Sequence, residues 1–92
     1  MSGIKAIRVR VGGRVQGVSF RAWTQCEARG RGLAGWVRNA ADGNVCVHME
    51  GEASAVDAML GALHTGPPAA VVREVTVQDA MPVGATRFDI LR

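Results

Sequence analysis

The nine residues Gly13-Arg14-Val15-Gln16-Gly17-Val18-Ser19-Phe20-Arg21 carry the densest chemistry in the chain. They follow an alternating stretch and precede a helical one, so they form a strand–loop–helix junction. Two glycines let such a loop turn tightly and bring its backbone close to a ligand. The first N–H groups of a helix lack intrahelical acceptors and point outward toward an anion. Arg21 falls in the first helical turn, where its planar fork of donors suits a phosphate. The chemistry implied is capture of a phosphate group. Ser19, at the helix start, is expected to cap the backbone with its hydroxyl.

Other catalytic sets are hard to assemble. Gly12 and Gly17 have the G-x-x-x-x-G spacing of a P-loop, but Val18 and Ser19 follow where Lys and Ser or Thr are needed. That argues against nucleoside triphosphate hydrolysis by the P-loop route. His48 and His64 lie far from the loop in sequence and read as lone surface histidines. No Ser/His/Asp set emerges, and no paired carboxylates lie near the loop. Cys26 and Cys46 show no C-x-x-C spacing, so no metal site is expected and both read as buried or half-buried free thiols. Catalysis here would rest on positioning and electrostatics rather than on a tuned base.

The elements that must position the loop follow from hydrophobic period. Residues 4–11 alternate, with Ile7, Val9 and Val11 as a core-facing strip and Gly12-Gly13 ending the strand. Residues 20–29 turn helical, with Phe20 and Trp23 as buried aromatics. Gly30 and Gly32 stop that helix, one of them as a left-handed cap. Residues 33–38 read as a second strand and 45–50 as a third, making a hairpin over 34–50. In the third strand Val45, Val47 and Met49 point inward and Cys46, His48 and Glu50 outward. The turn between, Asn39-Ala40-Ala41-Asp42-Gly43-Asn44, is rich in residues that accept positive φ. Residues 53–64 make the second helix, with Val56, Met59, Leu60 and Leu63 on one face, Ser54 as N-cap and Asp57 three residues on. Gly66-Pro67-Pro68 ends it. Residues 71–77 form a fourth strand whose valines break parity, which a bulge or a start at Val72 would restore. Residues 80–86 form a loop, and Phe88 and Ile90 share a face of a short last strand. The order βαββαβ plus that strand predicts an α+β fold. It is a ferredoxin-like split-βαβ sandwich, with two helices on one face of a mainly antiparallel sheet.

Composition sets the bounds. The chain has 92 residues, which fits one domain over 1–92. An apolar fraction of 48% with 21% charged residues excludes a disordered chain. Met1-Ser2-Gly3-Ile4-Lys5 lacks the apolar core of a signal peptide, and no stretch approaches the ~20 apolar residues of a membrane span. A soluble, cytoplasmic protein is expected. Residues 1–32 hold seven basic groups against Glu27, while 33–92 hold four basic and seven acidic groups. The positive third coincides with the anion loop and could steer a small anion, or hold nucleic acid.

Residues 13–21 (GRVQGVSFR) and 35–51 (GWVRNAADGNVCVHMEG) resemble the two signature segments of the acylphosphatase family. Their separation, the Gly66-Pro67-Pro68 break and the ending Phe88-Asp89-Ile90 fit as well. The resemblance spans essentially the whole chain, at the length of a stand-alone member. It implies hydrolysis of the carboxyl-phosphate bond of an acyl phosphate to a carboxylate and inorganic phosphate, with no metal and no cofactor. It implies that the backbone of Gln16, Gly17, Val18, Ser19 and Phe20, with the Arg21 side chain, holds the phosphoryl group. Asn39, at the end of the second strand, would orient the attacking water. Ser19 stands where other members carry cysteine or another residue, but only its amide is asked to act. Arg14 and Arg38 read as general electrostatic contributors. Asn39 offers a donor and an acceptor yet no base at neutral pH, so the water's proton would pass to a phosphate oxygen.

The rival is a non-catalytic ferredoxin-like binding module whose basic third holds RNA or a protein partner. RNA binders of this fold stack bases on sheet aromatics. With Phe20 and Trp23 in the core, only Trp36 and Phe88 remain, and neither lies in a basic-aromatic strand motif. The expectation is therefore a monomer acting on a small acyl phosphate, with no nucleic acid or membrane partner.

Overall fold

The computed structural model describes residues 3–92; Met1 and Ser2, part of the N-terminal stretch weighed as a targeting signal, lie outside the described residues. Seven elements follow in order: β1 (Ile4–Arg14), α1 (Phe20–Gly30), β2 (Ala34–Asn39), β3 (Val45–Glu52), α2 (Ala53–Thr65), β4 (Val71–Asp79) and β5 (Phe88–Ile90). The strands form one sheet in the order β4-β1-β3-β2-β5. All neighbours are antiparallel except β2 and β5. This is the expected α+β ferredoxin-like fold.

Period two builds the core. Ile7, Val9 and Val11 of β1 lie in register with Met49, Val47 and Val45 of β3, and all six are buried. Phe20 and Ala28 of α1 and Val56, Met59 and Leu63 of α2 close over them in one cluster. Each of these Ile, Val, Leu, Met and Phe side chains stabilises the fold by about 1.5–3 kcal/mol relative to exposure. Trp23 is half-buried rather than buried: it leans on the cluster, its ring 5.5 Å from that of Phe20. At the end of α1, Leu33 N–H bonds to Ala28 O at 2.9 Å and Gly32 N–H to Arg29 O at 3.1 Å. Gly32 takes φ 72° there, the left-handed turn that this pair of bonds needs.

Further expectations are corrected. First, β1 does not stop at Gly12-Gly13 but pairs on to Arg14. The register passes from Gly12↔Glu74 to Gly13↔Val72, which leaves Arg73 as the extra residue of a bulge in β4. That bulge restores parity, and Val72 and Val75 both pack on the core. Second, Ser54 is not the N-cap of α2. The strand β3 runs directly into the helix, Glu52 is the cap residue with no side-chain cap bond, and Ser54 Oγ donates to Glu52 Oε1 at 2.7 Å. Third, Cys46, His48 and Glu50 do face away from the helix side, Cys46 in the row of Arg10 and Arg38 and His48 in that of Arg8 and Trp36, but all three are buried rather than solvent-exposed. Trp36 stacks on His48 with centroids 5.9 Å apart and planes at 20°. The 80–87 connection closes on Glu50 through the N–H groups of Val83 and Ala85. Of the two free thiols, Cys46 is buried but Cys26 is exposed on α1. No helix among the described residues is long and apolar enough to cross a membrane.

Candidate active site

The loop between β1 and α1 is pinned at both ends by Val15 and Phe20, which are 1% and 2% exposed. Between them the backbone turns left-handed twice, at Gly17 with φ 74° and at Ser19 with φ 62°. Left-handed residues among right-handed ones gather successive N–H groups into an anion-binding concavity. A Cβ on Gly17 would meet nothing within 4 Å, so glycine is there for its φ, and open space lies in front of it.

Ser19 does not cap with its hydroxyl, contrary to expectation. A side-chain cap needs an extended backbone at that position, whereas Ser19 is left-handed and makes no such bond. Its carbonyl instead accepts Trp23 N–H at 3.0 Å. The amides of Phe20, Arg21 and Ala22 therefore precede the first helical bond. No acidic residue stands in the first turn of α1, so the positive end of the helix dipole is uncompensated.

Arg21 is half-buried in that turn. Its Nη1 makes one long contact, 3.4 Å, to the carbonyl oxygen of Leu91 just past β5. Among the described residues no carboxylate pairs with it. Asn39 ends β2 in register with Val45, two residues after the buried Val37 pairs with Val47. Strand alternation thus turns Asn39 to the helix side and Trp36 and Arg38 to the other. A cleft of about 350 Å³ brings Gly17, Ser19, Arg21 and Asn39 together, with Val15, Phe20, Ala22 and Ile90 as its remaining wall. It contains N–H donors and a guanidinium but no carboxylate, which suits an anion.

Gln16 and Val18 stand outside that lining. Val18 packs on the core. Gln16 Nε2 donates to the carbonyls of Ala40 and Asn44, 2.9 Å each, stapling the loop to the turn that follows Asn39. Sequence reasoning used only the Gln16 backbone and missed this staple, because nothing local pairs it with residues so far along the chain. The wall from β5 was missed as well. Arg14 is exposed at the end of β1, and Arg38 lies on the opposite face of the sheet. His64 Nδ1 faces its own helix at Leu60 O, 2.9 Å away. His48 is fully buried rather than a surface residue, its Nε2 2.7 Å from Glu50 Oε2. Among the described residues, no group of three or more His, Cys, Asp or Glu could hold a metal ion.

Comparison with known proteins adds the following. A family model described as acylphosphatase matches residues 7–90. An acylphosphatase of Gloeobacter violaceus is 49% identical over 84 residues, covering 91% of this chain and 90% of that protein. One from Azoarcus is 47% identical over 90 residues, covering 98% of this chain and 92% of that protein. The crystal structure of acylphosphatase from Bacillus subtilis superimposes with a TM-score of 0.93 at 38% identity, covering 98% of this chain and 100% of the other.

Proposed function

This chain belongs to the acylphosphatase family and is an acylphosphatase, and from that premise we propose how its cleft hydrolyses an acyl phosphate. The phosphoryl group lies in the concavity of the loop, bound by backbone N–H groups of Gln16, Gly17, Val18, Ser19 and Phe20 and by the Arg21 fork. Asn39 holds a water in line with the bond to the acyl oxygen. The water oxygen attacks phosphorus, the bond to the acyl oxygen breaks, and the carboxylate leaves with its electron pair. The water's proton passes to a phosphate oxygen, which gives inorganic phosphate.

The observation that carries this reading is the convergence of Arg21, the left-handed Gly17 to Ser19 turn and Asn39 on one cleft without a carboxylate. A phosphoryl transition state spreads negative charge over its equatorial oxygens. Preorganised N–H donors and a guanidinium meet that charge without reorganising. A carboxylate is a good leaving group, so no strong general acid is required. The reaction so written needs no metal.

Hydrolysis of benzoyl phosphate with excess chelator tests it. The unmodified protein is expected to turn over, Arg21→Ala to lose about 10²–10³-fold in kcat/KM, and Asn39→Ala to lose kcat with little change in KM. Arg21→Lys should also fail, since lysine keeps the charge but not the fork. Full activity in Arg21→Ala, or hydrolysis abolished by the chelator, would sink the mechanism.

A further inference from the structure

The sheet face opposite the helices carries a second cleft, of about 290 Å³. Strand register builds it. Arg8, His48 and Trp36 are aligned across three strands in one row, and Arg10, Cys46 and Arg38 in the next. Trp36 lies nearly parallel over His48, which is 0% exposed. The guanidiniums of Arg8 and Arg38 each stand 5.6 Å from the Trp36 ring centre. The Arg8 Nε also reaches His48 Nδ1 at 3.5 Å. Arg10 is bound to Asp42 at 2.6 Å, but neither Arg8 nor Arg38 pairs with a carboxylate among the described residues. Two guanidiniums are thus held on one indole with donors to spare, on the face turned away from Arg21.

We propose that this cleft is a second ligand site that takes a nucleoside monophosphate, its phosphate on Arg8 and Arg38 and its base on Trp36. The positive charge selects an anion, and Arg forks suit phosphate in particular. The cleft is larger than one phosphate group needs and lies at the lower end of small-molecule pockets. Thr76 and Gln78 at its rim offer hydrogen-bonding groups to a sugar or base edge. A strand of nucleic acid is disfavoured because it needs several stacking platforms. Here there is one: Phe88 is 1% exposed and belongs to the core. The basic-aromatic motif is absent from any single strand of the sequence because it forms across β1, β3 and β2.

Titration of the isotope-labelled full chain, followed by backbone and indole amide shifts, tests the site. With adenosine monophosphate, saturable shifts are expected at the Trp36 indole N–H and the amides of Arg8, Trp36 and Arg38. Adenosine or inorganic phosphate alone should bind that face more weakly. Trp36→Leu and Arg8→Gln should each raise Kd about tenfold or more, since one charge-assisted hydrogen bond or one base stack supplies that much. Arg8→Gln should leave benzoyl phosphate hydrolysis unchanged. If Trp36→Leu unfolds by uncovering His48, Arg8→Gln decides alone. Shifts confined to residues 16–21, a Kd indifferent to Arg8→Gln, adenosine binding as tightly as its phosphate, or affinity for single-stranded RNA that climbs with length would each overturn the proposal.

Discussion

Gln16 gives both amide hydrogens to carbonyls of the β2–β3 turn, and the consequence reaches Asn39. The loop holding Arg21 and the strand end holding Asn39 are separate pieces of chain, and the Gln16 side chain bonds one to the other. Gln16→Ala removes one of the two donors on each carbonyl and leaves Ala40 O with the Gly43 N–H and Asn44 O with the Ala40 N–H, which costs about 0.5–1.5 kcal/mol per lost bond. It also loosens the spacing between loop and turn, and displacement on the scale of 1 Å is enough to cost up to ~10²-fold in rate. The expected result is a kcat fall of about ten- to a hundredfold, larger than any change in KM. Gln16→Glu should behave likewise, because a carboxylate cannot donate. Steady-state kinetics with thermal melts checks this: lost stability at unchanged kcat would make Gln16 a fold residue only. At this scale the two signature segments pointed to Arg21 and Asn39, and the fold brings both to one cleft. The Gln16 staple was not, since its partners lie 24 and 28 residues away. Ser19 misled because its residue type suits a cap while its φ does not.

Elements decide which side chains can meet. The parity of β2 sends Asn39 to the helix side and Trp36 and Arg38 to the open side, so one strand serves two clefts. All seven elements were readable, since each rests on local period or turn chemistry, and a bulge in β4 was one of the two ways of restoring its parity. The faces of β2 were not, because a short, mostly apolar strand shows no clear alternation. The burial of Cys46, His48 and Glu50 was not readable. A β3 pattern of alternating types looks half-exposed until Trp36 and the 80–87 connection close over its second face. The loop before α1 depends on one conformation that sequence implies only through a glycine. Gly17→Ala adds a methyl to open space but holds a residue with a Cβ at positive φ, which costs about 1–2 kcal/mol. If the loop relaxes to escape that strain, its amides leave the phosphate position. The expected outcome is modestly lowered stability with a KM for benzoyl phosphate raised about tenfold. Weaker protection of the protein by inorganic phosphate in a thermal melt should accompany it. A variant that loses stability yet keeps KM would show that the Gly17 amide does not bind.

Across the whole molecule, the connection from β4 to β5 must travel from one edge of the sheet to the other. It does so by bonding each strand it passes. Ala80 N–H meets Ala6 O of β1, Val83 and Ala85 N–H meet the Glu50 carboxylate of β3, and Arg87 O accepts Gly35 N–H of β2. It then delivers Ile90 to the wall of the cleft and the Leu91 carbonyl to Arg21. Among these bonds, those to Glu50 are made by a side chain. Burial pushes its carboxyl up, but the Val83 N–H, the His48 ring and the Ala85 N–H together outweigh that and hold it below the ordinary carboxylate value. A folded pKa below the unfolded one stabilises the protein fully above the unfolded pKa, and the gain is lost as pH falls through the folded value. Glu50→Gln removes the charge and one acceptor oxygen, so it should cost about 1.5–3 kcal/mol at neutral pH. The gap in melting temperature between the two proteins should stay constant above the ordinary carboxylate value of about 4.3 and narrow below it, as the unfolded chain takes up a proton that the native carboxyl resists until lower pH. Because the connection also carries the β5 wall, kcat/KM of the variant should drop at neutral pH while the unmodified enzyme shows no such loss. A melting gap that persists unchanged into acid would mean that the Glu50 hydrogen bonds hold regardless of its charge, and the connection would then be fastened by its backbone bonds alone.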